Sequence, residues 1–199
     1  MTKLLHYNVG VKILIIGAGY IGLPLACSLK EQGHKVAGWV ASETSRARLE
    51  EKGLQTICAD VADEKAWAQC DKNWDAVVYC ISSSRQGLKA FAAVHQRGLE
   101  LALSHGAPRF LYVSSTSVYG QNDGSEVNEN LPTHPTSEKG KILLEAEERV
   151  KKCGGVIARL AGIYGPERGF WLQKILSGAP VIEGNGERWL NQIHRDDAA

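Results

Sequence analysis

A run of glycines near the beginning of the chain has the spacing of a phosphate-binding turn. It consists of Gly17, Ala18, Gly19, Tyr20, Ile21 and Gly22. The first glycine permits a tight turn, the second lets a pyrophosphate approach the backbone, and the third lets a helix pack closely on a strand. The apolar segment 11–16 precedes the run, and helical spacing follows it. Because helix N-termini attract anions, the run predicts a dinucleotide-binding site, with a merely structural glycine turn as the alternative.

The choice of dinucleotide depends on the residues that follow the second predicted strand. An acidic side chain there would hold the ribose 2′-hydroxyl of NAD, whereas an arginine would accept the 2′-phosphate of NADP. The strand end itself carries no acidic residue, Ser42 can donate to a phosphate, and Arg46 and Arg48 follow within a turn. This pattern favours NADP. NAD stays open, because Glu43 is close enough to serve it and both arginines could simply be solvated on the next helix.

The elements that would position this turn are short apolar runs rich in Val and Ile, alternating with helical patterns. The runs are 11–16, 35–40, 54–58, 75–81, 109–114 and 156–160. Nearly continuous apolar strands are typical of a parallel sheet covered on both faces. A late helix places Ile142, Ala146 and Val150 on one face. The sequence therefore predicts an α/β protein with a Rossmann-type, doubly wound parallel sheet.

Several further motifs, taken in order, carry a resemblance to a known family. They are the glycine turn, Asp60-Val61, Ser114-Ser115-Thr116-Ser117-Val118-Tyr119-Gly120, Arg159, Tyr164-Gly165-Pro166 and Ile193-His194-Arg195-Asp196-Asp197. With them the chain resembles the extended short-chain dehydrogenase/reductase family, in its NAD-dependent epimerase/dehydratase group. The motifs span nearly the whole chain, and their common order makes the resemblance specific.

The resemblance implies roles for individual positions. Cofactor contacts fall on Asp60, Val61, Ile81 and Ser82, with Asp60 meeting the adenine amino group. Ser115 would hydrogen-bond the reacting carbonyl or alcohol, and Tyr119 would line the substrate side. The alternatives are structural, because aspartate also caps helices and serines also stabilise turns.

This chain departs from the family pattern at the catalytic Tyr-x-x-x-Lys pair. Matching the helix 135–145 to the family places the lysine on Lys141 and the tyrosine on Ser137. A serine hydroxyl is far less acidic than a phenol, so the usual acid/base is missing. Tyr119 could replace it, or Ser115 and Ser137 could relay a proton through water to Lys141. Lys141 could instead keep only the family role of binding the nicotinamide ribose.

Two other departures bear on the reaction. Thr116 and Ser117 stand where the dehydratase branch has Asp-Glu, which disfavours elimination of water from a sugar. Gly162 stands where sugar-nucleotide enzymes of the family often have an asparagine. The chain therefore resembles the atypical members, which keep the cofactor fold and lose the standard site.

The resemblance also implies a division of the chain. Residues 1–165 would form the dinucleotide-binding domain, and 166–199 the start of a small C-terminal substrate lobe that continues in relatives. Trp171 and Trp189 would then be partly exposed. A homodimer through the helices that flank the sheet is implied by analogy.

Composition excludes several kinds of partner. With 23 basic and 22 acidic residues the formal charge is +1, and no run of like charges suits nucleic acid or an anionic membrane. No apolar stretch reaches the roughly 18 residues of a membrane span. Five cysteines without a C-x-x-C pair favour reduced thiols and a cytoplasmic location. Cys80 could be a nucleophile at a strand end, although packing is the favoured use, and the histidines lack metal-site spacing.

Two functions follow as hypotheses. The first is an NADP- or NAD-dependent oxidoreductase or epimerase that acts on a small carbonyl or nucleotide-sugar-like substrate. The second is a dinucleotide-binding or sensor module without catalysis, in which the missing tyrosine marks the lost activity.

Overall fold

The computed structural model describes residues 10–82, 87–178, 185–187 and 189–199. A six-stranded sheet forms its centre, with the order β3-β2-β1-β4-β5-β6 and every neighbouring pair parallel. The strands are β1 Lys12–Ile16, β2 Lys35–Val40, β3 Gln55–Cys58, β4 Ala76–Tyr79, β5 Arg109–Ser115 and β6 Val156–Leu160. The predicted Rossmann-type sheet is confirmed, and the six strands coincide with the six apolar runs.

Helices connect successive strands. They are α1 Gly22–Glu31, α2 Glu43–Glu51, α3 Glu64–Gln69, α4 Leu88–Ala93, α5 Leu99–His105 and α6 Glu138–Lys152. A π-helical segment, Val94–Gly98, joins α4 to α5, and a 3₁₀ turn, Thr116–Val118, follows β5. The strand order reverses between β1 and β4, and in open parallel sheets ligands bind at the carboxyl ends of the strands beside such a point.

The core consists of two apolar clusters separated by the sheet. One contains Trp39, Trp67, Tyr79, Phe110, Tyr112, Leu143 and Val150, and the other contains Ile13, Ile15, Val36, Leu49 and Val78. Alternate residues of a strand point to opposite faces, so strands β1 to β5 contribute to both clusters. This two-sided burial explains why the strands are apolar along nearly their whole length.

Helix α6 is fixed in rotation by its cap and its buried stripe. The Ser137 hydroxyl accepts a hydrogen bond from the Gly140 N–H at 3.0 Å, which caps the N-terminus. Leu143, Ala146 and Val150 are buried at the helical spacing of three and four residues. The stripe therefore begins one residue later than the predicted Ile142, which is only partly buried.

The C-terminal part adds a small two-stranded parallel sheet, β7 Gly162–Tyr164 with β8 Gln192–His194. Helices α7 Phe170–Leu176 and α8 Arg195–Ala198 accompany it. Trp189 is 85% exposed, in agreement with the expectation, whereas the Trp171 side chain lies outside what the structure describes. The division at residue 165 stays a prediction. No helix in the described ranges is long and apolar enough to cross a membrane.

Candidate functional site

The glycine turn has the geometry that its sequence requires. Gly17 has a φ of +89°, and a Cβ there would lie 2.7 Å from the Ile81 nitrogen. At Gly22 a Cβ would lie 2.6 Å from the Gly17 carbonyl oxygen, so the beginning of α1 packs tightly on the turn. At Gly19 a Cβ would have its nearest neighbour 3.9 Å away. The backbone is thus open at Gly19, beside the N–H groups of a helix N-terminus, as an anionic ligand needs.

A cavity of about 200 Å³ lies at this turn, and we call it the turn cleft. Four turn residues line it: Gly17, Gly19, Tyr20 and Ile21. The ends of β3 and β4 contribute four of the predicted positions: Asp60, Val61, Ile81 and Ser82. The structure thus brings eight of the predicted cofactor positions to one cleft. Asp60 also accepts a hydrogen bond from the Ala62 N–H at 2.9 Å, so one of its oxygens stabilises the local turn.

The three residues that favoured NADP, Ser42, Arg46 and Arg48, lie outside the lining of the turn cleft. Ser42 caps α2, where its hydroxyl accepts a hydrogen bond from the Ser45 N–H. The Arg46 guanidinium pairs with Glu50 at 2.8 Å and with Glu43 at 3.6 Å. These carboxylates raise the pKa of Arg46 and hold its side chain along α2.

A second cavity, of about 300 Å³, adjoins the turn cleft, and we call it the serine cavity because Ser114, Ser115 and Ser117 line it. It shares Ile81, Ser82 and Arg168, among others, with the turn cleft. The two cavities are therefore adjacent at the carboxyl ends of the strands, and we call them together the groove. Ser115 Oγ accepts the Ser117 N–H at 3.2 Å, which leaves the Ser115 proton free to donate to a ligand.

Helix α6 presents Lys139 and Leu143 to the serine cavity, not Ser137 and Lys141. Ser137 is exposed and caps the helix, and the Lys141 ammonium pairs with Glu138 at 2.7 Å on the solvent side. Positions two residues apart on a helix point about 200° away from each other. Packing of the buried stripe therefore sets a rotation in which neither Ser137 nor Lys141 lines the serine cavity, and their catalytic roles stay a prediction.

Tyr119 is also placed differently from the expectation. Its hydroxyl accepts a hydrogen bond from Arg159 at 2.7 Å and donates one to the Asn128 carbonyl at 3.0 Å. It lines a separate cavity, together with Arg159, and not the serine cavity. Both its hydrogen bonds and the guanidinium over its ring hold it away from a catalytic position.

His95 and Ser114 are buried polar groups in the wall of the serine cavity. Their exposed fractions are 2% and 6%. Burial lowers the pKa of His95 from 6.5 to about 4, so the imidazole is neutral at physiological pH. Its Nδ1 lies 2.7 Å from the Tyr112 hydroxyl, while Nε2 and the Ser114 hydroxyl find no hydrogen-bond partner among the described residues.

Cys80 lines both cavities but is a packing residue. It is buried, its thiol points to the Gly17 carbonyl at 3.3 Å, and burial raises its pKa to about 12. A thiol with so high a pKa is a poor nucleophile at neutral pH. All five cysteines are free. Within the described ranges, no three His, Cys, Asp or Glu side chains are grouped as a metal site would require.

Sequence reasoning missed several residues of the groove, among them His95, Trp39, Lys139 and Arg168. Trp39 lines the turn cleft, where its indole N–H donates to the Ala59 carbonyl at 2.9 Å. Arg168 lies over the Tyr20 ring at 5.0 Å and borders both cavities. Lys139 could have been found from the buried stripe of α6, since it lies four residues before Leu143. No sequence motif around Arg168 indicates a place in the groove, because this residue reaches the groove from the C-terminal part of the chain.

Comparisons with known proteins agree with this groove. The NAD-dependent epimerase/dehydratase family matches residues 13–199. Protein YeeZ of Escherichia coli K12 is 32% identical over 198 residues, which cover 94% of this chain and 69% of YeeZ. The UDP-glucose 4-epimerase of Corynebacterium glutamicum is 26% identical over 174 residues, 78% of this chain and 53% of that enzyme.

A solved structure from Methylobacillus flagellatus, named as a candidate NAD-dependent epimerase/dehydratase, is 34% identical with a TM-score of 0.72. The match covers 96% of this chain and 67% of that one. The family match extends over residues 13–199 and so includes the glycine turn and the described residues of the groove. The chain therefore belongs to the NAD-dependent epimerase/dehydratase family.

Proposed function

We propose that this chain binds a nicotinamide dinucleotide along the turn cleft and acts on a small carbonyl or alcohol substrate in the serine cavity. The proposed reaction is oxidoreduction or epimerisation. The observation that supports it is that the two cavities are adjacent and share lining residues. A dinucleotide with its diphosphate at Gly19 would reach from the turn cleft past Ile81 and Ser82 into the second cavity.

The bound nicotinamide would supply hydride chemistry. The residues of the chain would bind the dinucleotide and orient the substrate. The N–H groups at the beginning of α1 and the Arg168 guanidinium offer charge to the diphosphate. Asp60, at the far end of the turn cleft, has an oxygen for the adenine amino group. Ser115 offers its proton to the oxygen of the substrate, and it is oriented by the Ser117 N–H.

The preference for NADP is part of the proposal and rests on Ser42 and Arg46. It requires the Arg46 guanidinium to leave Glu43 and Glu50 and turn to a 2′-phosphate. These pairs are exposed, and exposed ion pairs stabilise only weakly because solvent screens them, so the guanidinium can leave them at little cost in free energy. The predictions of a cytoplasmic location and a homodimer also stand with this proposal.

A second candidate function is a dinucleotide-binding module that does not catalyse. The face of α6 that borders the serine cavity favours it, because Lys139 and Leu143 stand there. None of the described residues that line this cavity is a tyrosine. Loss of such an acid/base typically costs about 10² to 10⁴ in rate.

The test is a thermal-shift and fluorescence titration with NAD, NADH, NADP and NADPH, since ligands that bind the native state raise its melting temperature. Absence of a shift with all four would overturn both candidate functions. A shift with NADP at lower concentration than with NAD would support the cofactor preference, and the reverse order would refute it.

Turnover separates the two candidates. The cofactor-loaded chain is assayed at the nicotinamide absorbance with a panel of sugars, aldehydes and hydroxy acids. The variant Lys139→Tyr places a phenol at the cavity, and Ser137→Tyr, on the solvent side, is its matched control. A rate in the wild type supports the enzyme. A rate in neither the wild type nor Lys139→Tyr supports the binding module.

A further inference from the structure

The wall of the serine cavity contains two buried polar side chains without a hydrogen-bond partner among the described residues. His95 and Ser114 are both more than nine-tenths buried and border the cavity. Neither His95 Nε2 nor Ser114 Oγ has a hydrogen-bond partner among the residues that the structure describes. Leaving such a group unpaired costs about 1–3 kcal/mol, so unpaired groups at a cavity point to a ligand.

The hydrogen bond to Tyr112 decides what His95 offers. We assign the Tyr112 hydroxyl as the donor to His95 Nδ1, 2.7 Å away, because the opposite direction would leave the buried hydroxyl proton without an acceptor among the described residues. Since the imidazole is neutral, its own proton then lies on Nε2. His95 therefore offers an N–H donor to the cavity. The π-helical segment Val94–Gly98 holds this residue, and such segments occur frequently at functional sites.

Lys139 gives the same wall a positive charge. Its ammonium lies 5.3 Å from the centre of the Phe91 ring, and the Phe91 ring in turn packs on the His95 ring at 4.3 Å. Among the described residues that line the cavity none carries a carboxylate. In contrast to Lys141, which pairs with Glu138, Lys139 has no carboxylate partner within the described part of the chain. An ammonium beside apolar walls attracts an anion more strongly than it would in water.

We propose that the serine cavity recognises the carboxylate of a small organic acid, with Lys139 as the counter-charge. The His95 Nε2–H and the Ser114 hydroxyl donate to its oxygens. This inference rests on the proposed function and adds to it the class of substrate, a carbonyl or hydroxy acid. A monoanion fits better than a phosphate, because Arg168, the other cation of the lining, also borders the turn cleft and is engaged with Tyr20. The volume of about 300 Å³ suits a small acid.

The experiment compares acids with their neutral amides, which have the same shape. Lactate with lactamide, 3-hydroxybutyrate with 3-hydroxybutyramide, and glucuronate with glucuronamide are titrated calorimetrically into the chain saturated with the dinucleotide that it binds. We expect an acid to bind about tenfold more tightly than its amide, the size of one charge-assisted hydrogen bond. The acid preference should fall as salt is added.

Variants locate the recognition. Lys139→Met should abolish the acid preference, Lys139→Arg should keep it, and Lys141→Met, the matched exposed lysine on the same helix, should leave it unchanged. Ser114→Ala should weaken binding of the acid more than binding of the amide, because its hydroxyl donates to the charged carboxylate. If Lys139→Met does not fold, the proposal is tested by two other results. The acid preference of the wild type should fall with added salt, and Lys139→Arg should keep the preference.

The proposal is overturned if no acid binds, if acids and amides bind equally, if inorganic phosphate binds more tightly than every acid, or if Lys139→Met keeps the preference. Its failure is distinct from failure of the proposed function. A chain that binds a dinucleotide but no acid would lose only this inference, whereas a chain that binds no dinucleotide would lose the proposed function itself.

Discussion

Arg159 and Glu147 form a buried ion pair that connects β6 to α6. The guanidinium Nη2 lies 2.6 Å from Glu147 Oε2, and Nε lies 3.0 Å from Oε1. Glu147 is 0% exposed. Its carboxylate raises the pKa of Arg159, which also donates to the Tyr119 hydroxyl. The arginine of the family motif thus holds the strand, the helix and the tyrosine together beside the groove.

Removal of Glu147 should destabilise the fold strongly. Glu147→Ala leaves the largely buried Arg159 charge with the Tyr119 hydroxyl but without its carboxylate partner, and breaking a buried ion pair typically costs about 3–5 kcal/mol. Glu148→Ala removes an exposed pair with Lys151 and should cost no more than about 1 kcal/mol. Urea unfolding measures both. Equal losses in the free energy of unfolding would show that the buried pair stabilises the fold no more than the exposed pair does.

Substitution of Gly19 should weaken dinucleotide binding without destabilising the fold. In Gly19→Ala the added carbon lies 3.9 Å from its nearest neighbour, so the free energy of unfolding should be nearly unchanged. The same carbon enters the space proposed for the diphosphate, and dinucleotide affinity should fall by about tenfold or more. Calorimetric titration and thermal melting check the two expectations. Undiminished affinity would place the diphosphate elsewhere.

Gly17 is the contrasting position in the same turn. Gly17→Ala forces an L side chain into a φ of +89° and within 2.7 Å of the Ile81 nitrogen. It should therefore lower the free energy of unfolding by about 1–3 kcal/mol even without ligand. A melting temperature equal to that of Gly19→Ala would contradict the strain at this turn.

His95 should make the fold sensitive to acid. Its pKa is about 4 when folded, against an ordinary 6.5, so the unfolded chain binds the extra proton between these values. Stability is therefore complete above pH 6.5 and falls as the pH drops towards 4, by about 3 kcal/mol in all. His95→Gln should flatten this part of the curve, and the exposed His134→Gln should not. Unfolding measured across this pH range tests it, and a slope that persists in His95→Gln would assign it to other groups.

The cysteines should differ in reactivity as their burial differs. Iodoacetamide should modify the exposed Cys153 of the folded chain at neutral pH. Cys80 should stay unmodified, because it is buried and its pKa is about 12. Peptide mass spectrometry before and after unfolding reads both sites. Rapid modification of Cys80 in the folded chain would contradict this expectation and support a role for Cys80 as a nucleophile.

The sequence by itself determined the elements of this protein and the position of the turn. A parallel strand between two helical layers needs an apolar run, and a tight turn before a helix needs Gly17, so both leave a local signal. Six strands and the glycine turn could be predicted for that reason. The family motifs extended the prediction to Asp60 and Ser115.

Only the tertiary structure decided which side chains face the groove. A helix turns about 100° per residue, so the packing of Leu143 and Val150 selects Lys139 for the cavity and leaves Lys141 in solvent. Arg159 binds the Tyr119 hydroxyl, and this phenol lines a separate cavity, not the serine cavity. Arg168 reaches Tyr20 across 148 positions of sequence, since 168 − 20 = 148, and no local pattern encodes a contact of that range.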